Sequence, residues 1–311
     1  MPTVVSVLFL TIAIIESMAG LLGNGIILAV SSANCIRSKI LSSYDMIMIF
    51  LSSFRLFLQS WSMLDLLLCM FCEMSYYEEN FSAIFSTVFV FLNFSTFWFA
   101  ACLSVFYCTK VATLTQSYFI WLKQRISSLM PWMLITSCLL SFVTCFPFTW
   151  EVYSVRDNFT APLTIMNSSE ERVTKKVNVF LLILFFNVSI ALPVIVCIVS
   201  SSLLIRSLWI HTRQMQYNAT GFRDPSSEAH ISAIKSVFSF LILYVIYFIS
   251  LALLYSDVFI PLSIEDAICI VVIAACPTGH SMMLIWSNPK FRELPARILH
   301  HANCHVRTGS M

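Results

Sequence analysis

Long apolar runs separated by short polar stretches recur seven times along the chain. Each is about 20 residues or longer, the length a helix rising about 1.5 Å per residue needs to cross roughly 30 Å of hydrocarbon. The runs occupy 4–30, 46–70, 82–112, 129–149, 179–206, 236–256 and 265–286. The pattern predicts an all-α membrane protein: one seven-transmembrane helix bundle over residues 1–311, with a cytoplasmic tail at 287–311 and no detachable soluble domain. The third and fifth runs are long enough to require tilt or extension beyond the bilayer. Pro193 and Pro277 fall inside the fifth and seventh, where a missing backbone donor predicts a bend. The first run lacks a basic start, is too long for a secretory leader and carries Glu16, so it is read as a retained helix.

Composition removes the soluble alternative, because 59% of residues are hydrophobic and only 11% charged, against about 25% charged in an ordinary soluble chain. The net charge of +2 says little, but its distribution sets an orientation. Thirteen of the eighteen Lys and Arg residues fall in segments of one side: Arg37, Lys39, Lys110, Lys123, Arg125, Arg206, Arg213, Arg223, Lys235, Lys290, Arg292, Arg297 and Arg307. On the other side only the 150–178 loop is basic, through Arg156, Arg172, Lys175 and Lys176. The positive-inside rule therefore predicts an extracellular N-terminus and a cytoplasmic C-terminus. The 150–178 loop also holds two glycosylation sequons, at Asn158 and Asn167, which agree with an outside placement. The eleven cysteines lie mostly within spans and imply neither a disulfide framework nor a metal site. No cofactor and no nucleic-acid partner is expected; the lipid bilayer is the first partner, and receptor oligomers are compatible with this architecture.

Polar residues inside the runs carry the functional argument, since an ionisable group in lipid faces the bundle interior and needs a partner. Glu16, Gly20 and Asn24 form one stripe on the first helix and Ser52, Arg55, Gln59 and Ser62 another on the second. His280 and Ser281 follow Pro277 on the seventh. Counting helical rise puts Asn24, Arg55 and Ser281 roughly 8–14 Å inside the cytoplasmic boundary. An Asn24–Arg55–Ser281 hydrogen-bonded cluster centred on Arg55 is expected, the alternative being that each side chain is satisfied by nearby backbone carbonyls.

A secondary transporter would show internal repeats and paired intramembrane carboxylates, and the chain shows neither. An intramembrane enzyme would carry a His-Glu-x-x-His, Gly-x-Ser-x-Gly or paired-aspartate motif within a span, and none occurs. A receptor remains.

Five segments then resemble one family. The third run, Asn93-Phe-Ser-Thr-Phe97-Trp98-Phe-Ala-Ala-Cys102-Leu103-Ser-Val-Phe106-Tyr107-Cys-Thr-Lys110, and the second run's Leu51-Ser-Ser-Phe-Arg55-Leu-Phe-Leu-Gln59 are similar to the bitter taste receptors, as are His211-Thr-Arg-Gln-Met215, the Arg223–Tyr244 segment with His230, and His280-Ser281 with Asn288-Pro-Lys290. The match is colinear over essentially every span. Absences agree with it: no Asp/Glu-Arg-Tyr stands where Phe106-Tyr107-Cys108 does, the seventh run has no Asn-Pro-x-x-Tyr, and no cysteine pair can join the third run to the 150–178 loop. The vomeronasal-type pheromone receptors are the nearest alternative, because fold alone does not separate the two.

The resemblance implies a G-protein-coupled chemosensory receptor that binds bitter small-molecule agonists and activates a gustducin-type heterotrimeric G protein. Such agonists would sit in the outer half of the bundle. Phe89, Asn93 and Phe97 share a face at spacing four. By helical rise Asn93 lies about 16 Å, and Tyr247 about 12 Å, below the outer ends of their helices. The resemblance gives Asn93 the polar pocket position and Tyr247 a switch position on the sixth helix. An interhelical bond without ligand contact is the alternative for Asn93, and core packing for Tyr247. Phe185, Phe186 and Ser189 on the fifth helix and Ile270 on the seventh are further pocket candidates. Lys110, His211, Met215 and His230 are expected to border the G-protein cleft, with Tyr107 in the activation network.

Overall fold

The computed structural model describes residues 4–71, 79–112, 116–160, 169–218, 225–255, 263–288 and 291. Seven helices account for nearly all of them: α1 (Val4–Ser38), α2 (Ser43–Phe71), α3 (Glu79–Val111), α4 (Ser117–Thr160), α5 (Ser169–Asn218), α6 (Pro225–Tyr255) and α7 (Ile264–Ser287). Among the described residues there is no strand. Each apolar run lies on one helix to within a residue, and all seven helices are long and apolar enough to cross a membrane. The helices overshoot the runs, α5 reaching 50 residues, because polar flanks extend a helix once the apolar segment has nucleated it. Both α5 and α7 continue through their internal prolines. We call the end at which α1 starts the outer end of the bundle and the opposite end the inner end.

The helices close into a ring in which α1 packs on α2 and α7, α7 on α6 and α6 on α5, while α3 fills the centre against α2, α4 and α5. Burial follows that placement: 72% of the α3 span lies inside the protein, against 28% for α4 and 22% for α6. The sequence of α3 accounts for this, since Phe94, Phe97, Phe99, Ala100, Ala101 and Leu103 occupy all sides of the helix and all are buried. Toward the outer half, α3 packs with Phe186, Ile190, Tyr244, Tyr247, Leu251 and Ile273. Toward α1, α2 and α4 it packs with Ile27, Ile47, Met48, Leu51, Ile126, Met130 and Leu134. A smaller cluster of Cys108, Ala112, Phe119, Leu204 and Leu208 joins α3 to α4 and α5 at the inner end.

The opposite faces are equally apolar. Leu22, Phe57, Trp132, Phe142 and Val143 are all more than half exposed, an arrangement that suits hydrocarbon as the surrounding medium. Hydroxyl groups between the helices satisfy themselves on the preceding turn, as Ser95 does on the Phe91 carbonyl (2.8 Å), Thr109 on Val105 (2.9 Å) and Ser141 on Ser137 (2.8 Å). Ser104 instead reaches across to Ser200 (2.7 Å) and Ser201 (2.9 Å), tying α3 to α5.

Phe99 is fully buried and meets Phe50 and Phe54 edge-on at 5.9 and 5.0 Å. Phe99→Ala is expected to cost about 3–5 kcal/mol and to lower the melting temperature of the detergent-solubilised protein. Trp132→Leu, on the outward face, should leave it unchanged. Equal melting of the two variants would show that α3 is not the packing centre.

Candidate ligand pocket and helix-linking network

On α3 a four-residue spacing places Phe89, Asn93 and Phe97 one above another, facing Tyr247 on α6. Asn93 is buried, and its amide Nδ2 donates to the Phe89 carbonyl (2.7 Å), which fixes the amide with Oδ1 turned to α6. The Tyr247 hydroxyl donates to that Oδ1. Beneath the bond the Phe97 ring stacks on Tyr247 at 4.8 Å and 11° and meets Tyr244 edge-on at 5.0 Å. The Tyr244 hydroxyl donates to the Phe97 carbonyl (2.5 Å) and Thr96 Oγ1 to that of Asn93 (2.8 Å). The result is a floor with one polar spot. An asparagine carries two amide protons and two acceptor lone pairs, so Asn93 keeps capacity beyond these bonds.

The surrounding wall is apolar. Phe186 is buried and meets Phe94 edge-on at 5.2 Å, Phe89 packs against the same cluster, and Ser189 is buried one turn along α5. Phe185 and Ile270 are corrected: they are 45% and 43% exposed and lie outside this cluster. One step along a helix turns a side chain by about 100°, so with Phe186 inward Phe185 faces out. With Cys269 and Ile273 inward, Ile270 does the same.

Inward of the floor, two hydrogen-bonded groups stand side by side where a single cluster was expected. Ser281 Oγ donates to Asn24 Oδ1 (2.7 Å), while Asn24 Nδ2 reaches the Gly20 carbonyl (2.9 Å) and Gln59 Oε1 (3.4 Å). Gln59 Nε2 donates to Thr278 Oγ1 (3.0 Å), which lies 3.0 Å from the Glu16 carbonyl. These contacts join α1, α2 and α7. Arg55 bonds neither Asn24 nor Ser281; its Nη1 meets His280 Nδ1. An arginine only donates, so Nδ1 is the acceptor and the ring is the neutral Nε2–H tautomer. Gln59 takes the bridging place assigned to Arg55 because Gly20 leaves room for it: a Cβ at residue 20 would collide with the Gln59 amide. Gln59 stood one turn from Arg55 in the polar stripe, which was the available signal. Thr278 gave none, since a threonine in an apolar helix is usually satisfied by its own backbone.

Comparison with known proteins decides the family. A sequence profile described as Taste receptor protein (TAS2R) matches residues 1–303 of this chain. The chain belongs to the type 2 taste receptor family. Taste receptor type 2 member 40 of Gallus gallus is 65% identical over 298 residues, covering 96% of each chain. Taste receptor type 2 member 39 of Homo sapiens is 37% identical, covering 94% of this chain and 86% of its own. Squid rhodopsin shares the fold, with a TM-score of 0.59 at 14% identity over 95% of this chain and 86% of that one. This taste receptor is therefore a multi-pass plasma-membrane protein and a chemosensory G-protein-coupled receptor rather than an enzyme or transporter. Small-molecule agonists and G-protein coupling follow from that class.

At the inner end of the taste receptor, Tyr107 lies apart from both groups above. Its hydroxyl donates to Tyr44 (3.4 Å), which also accepts from Asn288 Nδ2 (2.9 Å), linking α3, α2 and the end of α7. Phe291 stacks on Tyr44 with centroids 6.5 Å apart. Lys110 is exposed, with Nζ 5.9 Å from the Phe106 ring and 3.3 Å from Ser127 Oγ. His211 is exposed on α5. Met215 and His230 lie on α5 and α6 and Asn158 on α4, but their side chains lie outside what is described; Asn167 lies outside the described residues altogether.

Asn24 serves three partners, and Asn24→Ala removes the cross-helix bonds to Gln59 Oε1 and Ser281 Oγ, leaving the buried Gln59 oxygen unpaired while Ser281 keeps the Pro277 carbonyl. A loss of about 1–3 kcal/mol is expected. Ser281→Ala, which removes one donor, should cost about 1 kcal/mol. Thermal melting of the purified receptor checks the order; a larger loss for Ser281→Ala would reverse the assignment of Asn24 as the hub.

Proposed function

We propose that this receptor binds bitter small molecules in the outer half of the bundle, above the Asn93–Tyr247 floor, and activates a gustducin-type heterotrimeric G protein at its inner end. The observation that carries the reading is the hydrogen bond from Tyr247 to Asn93, which joins α3 to α6 at the base of an apolar wall. A ligand shifts a conformational equilibrium only by binding one state better than the other. An agonist oxygen or amide that engages Asn93 or the Tyr247 hydroxyl competes with the bond between them. Freed from α3, helix α6 moves outward and opens a cleft bordered by Lys110, His211, Met215 and His230. No carboxylate lies on the pocket face of α3, which supports neutral or varied ligands over amines. Bitter ligands and this G-protein class come from the resemblance set out above. On the same reading the N-terminus is extracellular, and Asn158 and Asn167 carry glycans.

In cells expressing the receptor with a gustducin-type α subunit, calcium imaging against a diverse bitter panel should find agonists. For a neutral agonist, Tyr247→Phe and Asn93→Ala are each expected to change potency by about 5- to 30-fold at equal surface expression, the equivalent of about 1–2 kcal/mol. Unchanged potency in both variants would sink the pocket assignment. Asn158→Gln with Asn167→Gln should abolish the mobility shift that a glycosidase gives the wild-type chain; a shift that persists places the glycans elsewhere.

A further inference from the structure

The exposed side chains of α4 keep one phase along the helix. Each residue turns the direction by about 100°, so Trp121, Arg125, Ser128, Trp132, Leu139 and Val143 fall within about 40° of a common line. All six are exposed, while Ile126, Met130, Leu134 and Ser141 point the other way and are buried in the bundle. From Trp132 outward this face is apolar and suits hydrocarbon. Its inner end carries an arginine. A cation on a lipid-facing surface is expensive unless it reaches headgroup level and finds a partner there.

The depth of Arg125 meets the first condition. The apolar run of this helix begins at residue 129, and a stretch of about 20 residues centred in the span Ser117–Cys145 begins near residue 121. Arg125 lies between these two bounds, at the junction of hydrocarbon and headgroups. The protein does not meet the second condition. The first acidic residue of α4 is Glu151, near its other end, and among the described residues no carboxylate pairs with Arg125. The neighbour it does have is the Trp121 ring, 5.5 Å from Cζ to the centroid. The guanidinium and the indole N–H only donate, and neither meets a protein acceptor among the described residues. The missing partner is therefore an oxyanion held at headgroup level, with an apolar tail that follows Trp132 into the membrane.

We propose that this inner-end face of α4 binds one anionic phospholipid, with its phosphate on Arg125 and Trp121 and an acyl chain along Trp132. The planar fork of an arginine suits a phosphate, and a tryptophan suits the membrane interface. A zwitterionic lipid brings its own cation beside the phosphate and gains less from Arg125. Lys123 takes no part, since it points about 160° away from Arg125, and Lys110 is turned to Ser127. Bound there, the lipid adds contacts to a helix of whose span 28% lies inside the protein.

The test needs no agonist. Detergent-solubilised receptor is offered equimolar phosphatidylserine and phosphatidylcholine of matched chains, and the retained lipids are counted by native mass spectrometry. An excess of phosphatidylserine of about fivefold is expected in the first lipid bound, the size of one basic group's attraction to anionic lipid. Arg125→Gln should bring the ratio within about twofold of unity, and Trp121→Leu should lower it in part. Lys123→Gln removes the same charge from the other side of the helix and should leave the ratio as in the wild type. All three side chains are exposed, so the variants keep the fold. A preference that survives Arg125→Gln, or falls equally in Lys123→Gln, overturns the proposal in favour of general attraction to the basic inner end. Equal retention of the two lipids by the wild type overturns it as well, and leaves the face to a protein partner.

Discussion

A polar group between these helices has only the protein to bond with, because lipid offers no hydrogen-bond partner. That constraint orders the interior of the receptor. Where the partner is the preceding turn, as for Ser95, Thr109 and Ser141, the hydroxyl costs nothing in architecture. Where it lies on another helix, the bond fixes a neighbour. Asn24, Gln59, Thr278 and Ser281 fix α1 to α2 and α7 in this way, and Ser104 with Ser200 and Ser201 fixes α3 to α5. The apolar packing around α3 then supplies bulk, and the cross-helix bonds supply register.

The same logic makes α3 the route between the two ends. Asn93 and Phe97 engage α6 through two tyrosines, and both of those tyrosines line a cavity with Arg55 and His280. Farther inward Phe106 and Tyr107 join Tyr44, which holds Asn288 at the end of α7. The outer floor and the inner latch are thus carried by one helix with a protein contact at nearly every turn. Any coupling between the two ends therefore has a continuous packed element available to it.

The seven helices were legible because membrane thickness sets a length that few other structures demand, and the runs met it without ambiguity. The inward-facing polar residues were legible as stripes, since period and cost both pointed inward at Glu16, Asn24, Arg55 and Gln59. The pairings between stripes were less so. Helical rise put Asn24, Arg55 and Ser281 at similar depth, but depth ignores rotation about the axis, and rotation gave Arg55 to His280 and Gln59 to Asn24. Phe185 and Ile270 failed for a related reason. In a helix apolar on every side, hydrophobicity no longer tells the bundle-facing side from the lipid-facing one, and only the packed structure does.

The two tyrosine bonds on α6 impose a condition on how it can move. Tyr244 and Tyr247 sit about one turn apart and are seated on α3 at Phe97 and Asn93, also one turn apart. Two studs in two sockets on rigid helices do not tolerate partial withdrawal: a tilt large enough to unseat one disturbs the stacked Phe97 ring that steadies the other. If α6 opens as proposed, partly opened forms keep the cost of the broken contacts without the gain of the open cleft and are sparsely populated. Each receptor molecule would then answer in an all-or-none fashion, with a graded response arising by counting molecules rather than by bending any one of them further.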